Sequence, residues 1–280
     1  MSTDRYCVMG NPVEHSRSPW IHARFAELTG EPVAYGKRLV ARDGFAQAVA
    51  QFRADGGRGC NVTLPFKFEA AQLAARASPR ALLAQACNTL RFDQDGIFGD
   101  NTDGAGLVLD ITVNAGLPLA GRDLLLLGAG GAGAGVLGPL IEAGPRRIVV
   151  ANRTRERAAA LAARHAALAA RHAVELAASG LHDVPGGFDV LVNGTASSLQ
   201  GDSLPLGAGV LRPGALAVDM MYGAAAAGFL DWARAQGALA RDGLGMLVEQ
   251  AAESFLLWRG VRPPSARVLG ELRAIVDGRP

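Results

Sequence analysis

The chain has 280 residues, 28 Lys and Arg against 26 Asp and Glu, a formal net charge of +2 and 49% hydrophobic residues. That length suits two domains with a large core, and the balanced charge, with no basic run, excludes nucleic acid and anionic membrane as expected partners. No apolar leader opens the chain and no run approaches the roughly 18 apolar residues of a membrane span, so a cytoplasmic protein with a small-molecule ligand is expected.

Residues 6–9 read as a first strand, broken by Gly10-Asn11-Pro12, and a helix follows through about residue 28. Ser18 ahead of Pro19 is explained by an N-cap followed by a proline in the first helical position. Ser16 is not. Two hydroxyls two residues apart beside free helix N–H groups also make a site for a carboxylate, and both readings stay open. A strand over 34–40 and a helix over 44–54 lead to a strand at 60–64, where polar Asn61 and Thr63 alternate with Cys60, Val62 and Leu64 and so share one face.

Pro65 stops that strand, and Lys67 stands at the helix start beyond it. Only Lys37 and Lys67 are lysines among the 28 basic residues, so arginine performs nearly every cationic task. A cation in a first helical turn is disfavoured by about 0.3–1 kcal/mol. A lysine kept there points to a use arginine cannot serve, an ammonium able to release its proton. Cys7, Cys60 and Cys87 are odd in number and lack metal spacing, as do the five histidines, so buried thiols and no metal are expected.

A helix is expected over 69–83, then strands at 86–92 and 97–98 around a turn at 93–96. Gly99-Asp100-Asn101-Thr102-Asp103-Gly104 is a polar knot before a helix over 105–115, and Asp103 taken alone reads as a helix cap.

The apolar run 124–127 ends in glycines at 128, 130 and 133, followed by small and apolar residues to 141. Strand, tight turn and helix in that order form a dinucleotide cradle: positive φ in the turn, a bare backbone for a pyrophosphate, and helix N–H groups aimed at it. The next strand, 147–151, ends in Asn152-Arg153-Thr154, with Arg155 and Arg157 close behind. A carboxylate there would bind the 2′-hydroxyl of NAD, whereas a neutral residue and guanidinium groups suit the 2′-phosphate of NADP. The arginines could also belong to a solvated helix start, but cations in a first turn oppose the helix dipole, and a bound phosphate accounts for them better.

The helix beyond repeats Ala-Ala-Leu-Ala-Ala-Arg-His at 159–165 and 166–172, which reads as an exposed helix lengthened by duplication, with His165 and His172 solvated. A strand over 188–192 leads to Asn193-Gly194-Thr195, at a strand end suited to cofactor contact. Another strand is expected over 216–222. Asp242-Gly243-Leu244-Gly245-Met246 precedes an amphipathic helix over 247–258 carrying Gln250, and a final helix over 265–276 should pack on the N-terminal domain.

Taken together, Gly-Asn-Pro with Ser16-x-Ser18-Pro, Asn61-x-Thr63-x-Pro-x-Lys67, Asn88-Thr, Gly99-Asp-Asn-Thr-Asp103-Gly, Gly-Ala-Gly-Gly-Ala, Asn152-Arg153-Thr154 and Asp242-Gly-Leu-Gly-Met-Leu resemble the shikimate dehydrogenase family, in family order from residue 7 to about 260. The resemblance implies an α/β protein of two domains. Residues 1–103 would form a substrate domain completed by C-terminal helices from 243–280, residues 104–242 a Rossmann-like NADP-binding domain, and a cleft would separate the two.

The implied reaction is the reversible reduction of 3-dehydroshikimate to shikimate, with Lys67 as general acid and base and Asp103 holding it. The resemblance assigns Ser16, Ser18 and Tyr222 to the substrate carboxylate and Asn61, Thr63, Asn88, Asp103 and Gln250 to its hydroxyls. Gly128, Ala129, Gly130, Gly131, Ala132, Asn152, Arg153, Thr154, Arg157, Thr195, Gly243 and Met246 would hold NADP. The turn at 223–228 is alanine-rich where the family carries a proline and a threonine, directly after Tyr222. Alternatives are a quinate or aminoshikimate dehydrogenase of the same fold, or a non-catalytic NADP-binding sensor, against which Lys67 and Asp103 argue. The assembly stays open between monomer and homodimer.

Overall fold

The computed structural model describes residues 3–195, 205–207 and 209–278. The chain divides into two compact units, one of residues 1–106 with 247–280 and the other of residues 107–246.

In the first unit, β1 (Asp4–Gly10), β2 (Val33–Leu39), β3 (Gly57–Val62), β4 (Arg76–Ala77), β5 (Thr89–Asp93) and β6 (Gly96–Asp100) form a mixed sheet ordered β2-β1-β3-β5-β6-β4. β1 runs parallel to both neighbours, with Val8 opposite Lys37 on one side and Asn61 on the other. Helices α1 (Ser18–Thr29), α2 (Phe45–Ala54), α3 (Lys67–Leu73) and α4 (Pro79–Ala84) accompany it. Met9, Phe45, Val62, Phe66 and Leu90 are fully or nearly fully buried in its core, and Phe45 stacks on Phe66 with centroids 4.8 Å apart. The last helix, α10 (Ser265–Val276), joins α1 through a two-pronged pair between Arg24 and Glu271 at 2.6 and 2.9 Å.

The helix expected over 69–83 is instead two short helices with β4 between them. Pro79 is the cause: it keeps Ser78 extended, at φ −65° and ψ 155°, and the Ser78 hydroxyl caps the new helix by accepting from the Ala81 N–H. The freed segment pairs Arg76 and Ala77 with Phe98 and Gly99.

The second unit is a fully parallel sheet of β7 (Asp123–Leu127), β8 (Arg147–Asn152), β9 (Glu175–Gly180), β10 (Phe188–Asn193), β11 (Leu211–Asp219) and β12 (Leu239–Arg241), ordered β12-β11-β10-β7-β8-β9. Its first strand is central and the order reverses between β7 and β10, the switch point at which α/β sheets bind nucleotides beyond their strand ends. Every residue of β7 is buried, which is why it reads as an unbroken leucine run. α5 (Asp103–Leu109) starts two residues before the expected position and continues into a single π-helical turn at Asp110–Asn114.

α6 (Gly131–Glu142), α7 (Arg155–Arg171) and α8 (Ala227–Ala235) connect these strands, and α9 (Leu244–Arg259) follows β12. One expectation for α7 fails. His165 is fully buried on the face that carries Ala158, Leu161, Ala162, Leu168 and Ala169, with its Nδ1 2.9 Å from the Leu161 carbonyl oxygen. The two sequence copies are identical, but the second ends where the helix ends, and His172 is exposed.

Candidate active site

In the first unit β1 and β3 end side by side, with Met9 opposite Val62. The approach is close: a Cβ on Gly10 would lie 2.3 Å from Thr63 Cγ2, so any larger residue here would push the Thr63 side chain aside. Beyond Thr63 the chain turns into α3, whose first residue is Lys67.

Lys67 Nζ donates to Asp103 Oδ2 at 2.5 Å, with side chains 12% and 7% exposed. The other carboxylate oxygen accepts from Asn88 Nδ2 at 2.8 Å. Asp103 is the first residue of α5; its own N–H goes to Asn101 Oδ1, while its two carboxylate oxygens are taken by Lys67 and Asn88.

Asn88 is the hub of this region. Its Oδ1 accepts from the Thr102 N–H at 2.8 Å and from Thr89 Oγ1 at 2.9 Å, and its Nδ2 also reaches Gln250 Oε1 at 3.2 Å. Gln250 lies on α9, anchored through Nε2 to the Leu247 carbonyl. Ser254, one turn further on the same helix face, contacts Asn61 Nδ2, Thr89 Oγ1 and Thr102 Oγ1 at 2.7–3.2 Å. Asn61, Asn88, Thr89, Thr102, Asp103, Gln250 and Ser254 are all buried, so this is a polar network inside the unit.

Ser16 and Ser18 are also together, their hydroxyls 3.2 Å apart. Ser18 is not the cap the sequence suggested: α1 begins at Ser18, Arg17 holds the cap position without a side-chain bond, and Ser16 Oγ accepts the Ser18 N–H. Both hydroxyls therefore remain beside the helix start. Burial pushes the Cys7 and Cys87 thiols up to about 12 and raises that of Cys60 well above its ordinary range, so all three stay protonated at neutral pH and offer no nucleophile.

Sequence reading passed over Tyr35, Thr89, Thr102 and Ser254. The spacing of Ser254 four residues after Gln250 was a usable signal, since both fall on one helix face. Tyr35 left no local signal, because it reaches Asn61 across an intervening strand.

The second unit holds the glycine turn. Gly128 has φ +101°, and a Cβ there would lie 2.9 Å from the Gly194 carbonyl; a Cβ on Gly133 would lie 2.1 Å from the Gly128 carbonyl. Gly130 faces open space and caps α6 without a side-chain acceptor, so the first N–H groups of that helix, from Gly131 and Ala132 on, take no bond from a cap. Such a turn fits a pyrophosphate, with N–H groups and bare backbone where a side chain would block it. Asn152 ties the turn to the end of β8, accepting the Ala129 N–H at 3.3 Å and donating to the Thr154 carbonyl at 2.9 Å.

Arg153, Arg155 and Arg157 are exposed beside it, and no ion pair to them is found among the described residues. The donor set suits a 2′-phosphate. Thr195 and Gly243 lie at the neighbouring strand ends: Thr195 Oγ1 donates to Asn193 Oδ1, and Gly243 packs so close to the Met220 carbonyl that a Cβ would stand 2.5 Å from it. Met246 is buried nearby in sequence on α9. Tyr222, half-buried, stands at the cap position of the short helical turn that follows β11, without a side-chain capping bond, and belongs to this unit, whereas the other residues assigned to substrate belong to the first.

Family models match three stretches: the shikimate dehydrogenase substrate binding domain over residues 8–90, shikimate / quinate 5-dehydrogenase over 112–200, and the shikimate 5′-dehydrogenase C-terminal domain over 243–273. A shikimate dehydrogenase (NADP(+)) of Acidovorax sp. strain JS42 is 66% identical over 98% of both chains. The chain belongs to the shikimate dehydrogenase family. Among solved structures, an Ael1 enzyme from Pseudomonas putida is similar at 45% identity, covering 96% of this chain and 98% of its own, with a TM-score of 0.86. Shikimate 5-dehydrogenase from Thermus thermophilus, in complex with NADP(H) and shikimate, is similar at 33% identity, covering 97% and 99%, with a TM-score of 0.80.

Proposed function

We propose that the chain catalyses the reversible NADP-dependent reduction of 3-dehydroshikimate to shikimate, with Lys67 as the proton donor and acceptor and Asp103 as its partner. The observation that carries this reading is the Lys67–Asp103 pair, closed on its far side by Asn88. NADPH, when bound, supplies the hydride. The ammonium of Lys67 gives a proton to the oxygen that develops negative charge on reduction and takes it back in the reverse direction. Asp103 holds that ammonium in one place, and Asn88 keeps the carboxylate from turning away.

Ser16 and Ser18 are assigned to the substrate carboxylate together with Tyr222, and Asn61, Thr63, Asn88, Asp103 and Gln250 to its hydroxyls. A site built from buried hydrogen-bonding groups rejects analogues that leave them unpaired. Gly128 to Ala132 are assigned to the pyrophosphate, and Asn152, Arg153, Thr154 and Arg157 to the adenosine ribose and its phosphate. Thr195, Gly243 and Met246 are assigned to the remainder of the cofactor. The +2 net charge, with no basic run, argues against nucleic-acid and anionic-membrane partners for what we take to be a cytoplasmic monomer or homodimer.

The test follows NADPH absorbance with the purified protein on shikimate and quinate, each with NADP and NAD. The proposal expects kcat/KM highest for shikimate with NADP, by about 10-fold or more over each other pairing. A preference for quinate moves the assignment within the family. No turnover on any pairing leaves a nucleotide-binding protein.

A further inference from the structure

We propose that Tyr35 is a positioning residue of the substrate site, whose hydroxyl sets the orientation of the Asn61 amide; this rests on the assignment of Asn61 to substrate made above. Tyr35 stands on β2, opposite Tyr6 of β1, and its phenol crosses β1 to donate to Asn61 Oδ1 on β3 at 2.6 Å. Asn61 is 6% exposed, and its Nδ2 reaches the Asn88 carbonyl at 3.2 Å and the hydroxyls of Thr89 and Ser254, both at 3.0 Å.

An amide differs little in shape when its oxygen and nitrogen exchange, so hydrogen bonding must choose. The hydroxyls of Thr89 and Ser254 accept or donate and decide nothing. The Asn88 carbonyl only accepts, and it requires the NH2 end. Tyr35 completes the choice by offering a proton to the carbonyl end. With Oδ1 so engaged, Asn61 meets a substrate hydroxyl in one fixed orientation.

The phenol ring is held in an aromatic stack. The His22 ring lies parallel to it at 4.2 Å and 5°, and Trp258 stands at 6.3 Å. Burial raises the titration range of Tyr35, which keeps it a protonated donor, and the Ser18 hydroxyl acts on the same phenol in the opposite sense. Tyr35 thus faces residues assigned to both the carboxylate and the hydroxyls of the substrate.

The test is Tyr35→Phe, which keeps the ring and its stack and removes only the hydroxyl, combined with Asn61→Ala in a double-mutant cycle. KM for shikimate should rise about 10-fold in Tyr35→Phe, with kcat and the KM for NADP changed less than about 3-fold. In the Asn61→Ala background the same change should have no further effect on KM. Wild-type KM in Tyr35→Phe overturns the inference, as do effects that simply multiply in the double variant. Wild-type protein that fails to turn over shikimate overturns the functional reading and this inference with it, so the two failures are distinguishable.

Discussion

Asp103 divides its carboxylate between two partners: Oδ2 holds Lys67 Nζ at 2.5 Å and Oδ1 holds Asn88 Nδ2 at 2.8 Å. Each bond fixes the geometry of the other. In Asp103→Asn the shape persists, but the ammonium faces a neutral amide that can turn its own donors toward it. On the proposed mechanism kcat for shikimate oxidation falls about 100-fold. KM for NADP, whose assigned residues lie in the other unit, should stay within about 2-fold. Steady-state kinetics with each substrate varied separately checks both.

His22 is fully buried among Phe25, Tyr35, Phe255 and Trp258. Burial pushes it down to about 3 from an ordinary 6.5. The unfolded chain therefore binds a proton between those limits that the folded chain does not, so stability is complete above pH 6.5 and declines as pH falls toward 3. The loss amounts to about 1 kcal/mol per pH unit across that window. His22→Leu should flatten the dependence of Tm on pH between 6.5 and 4; an unchanged slope would assign the acid sensitivity elsewhere.

Arg153 is exposed at the end of β8, beside the turn that Asn152 ties to Ala129. If its guanidinium meets the 2′-phosphate, Arg153→Ala removes a charged hydrogen bond of about 1.5–3 kcal/mol. KM for NADP should then rise by about 10-fold or more while KM for NAD hardly changes. A parallel rise for both nucleotides would place the arginine away from the phosphate.

Gly245 lies against Asp110, so closely that a Cβ would stand 1.8 Å from Asp110 Oδ1. Asp110 is fully buried and held by Arg241 through two bonds of 2.8 and 2.6 Å. Gly245→Ala must displace that pair, at a cost of about 2–4 kcal/mol. A drop in Tm of about 5–10 °C is expected. Gly116→Ala, at a position with nothing within 4 Å but φ +67°, serves as a milder comparison.

What could be read from the chain alone was mostly local. The leucine run, the glycine turn and Asn152-Arg153 lie within about 30 consecutive residues, and each carries its physical reason in its own chemistry. Lys67 was visible because a lysine is rare here and stands at a helix start. The break at Ser78-Pro79 was present in the sequence too, but helix-forming residues on both sides masked it. Burial of His165 could not be seen, since two identical copies of a heptad differ only in what packs on them. Tyr35 and Ser254 were missed because their meaning depends on Asn61, 26 and 193 residues away, and only the sheet order and α9 bring them together.

The most direct measurement is the turnover number of Lys67→Arg. Arginine keeps the positive charge that Asp103 binds but cannot release a proton near neutral pH. If Lys67 transfers the proton, kcat falls by about 100-fold to 10,000-fold while the protein stays folded and still binds NADP. Turnover within a few-fold of wild type would contradict that role and leave the pair a structural ion bridge.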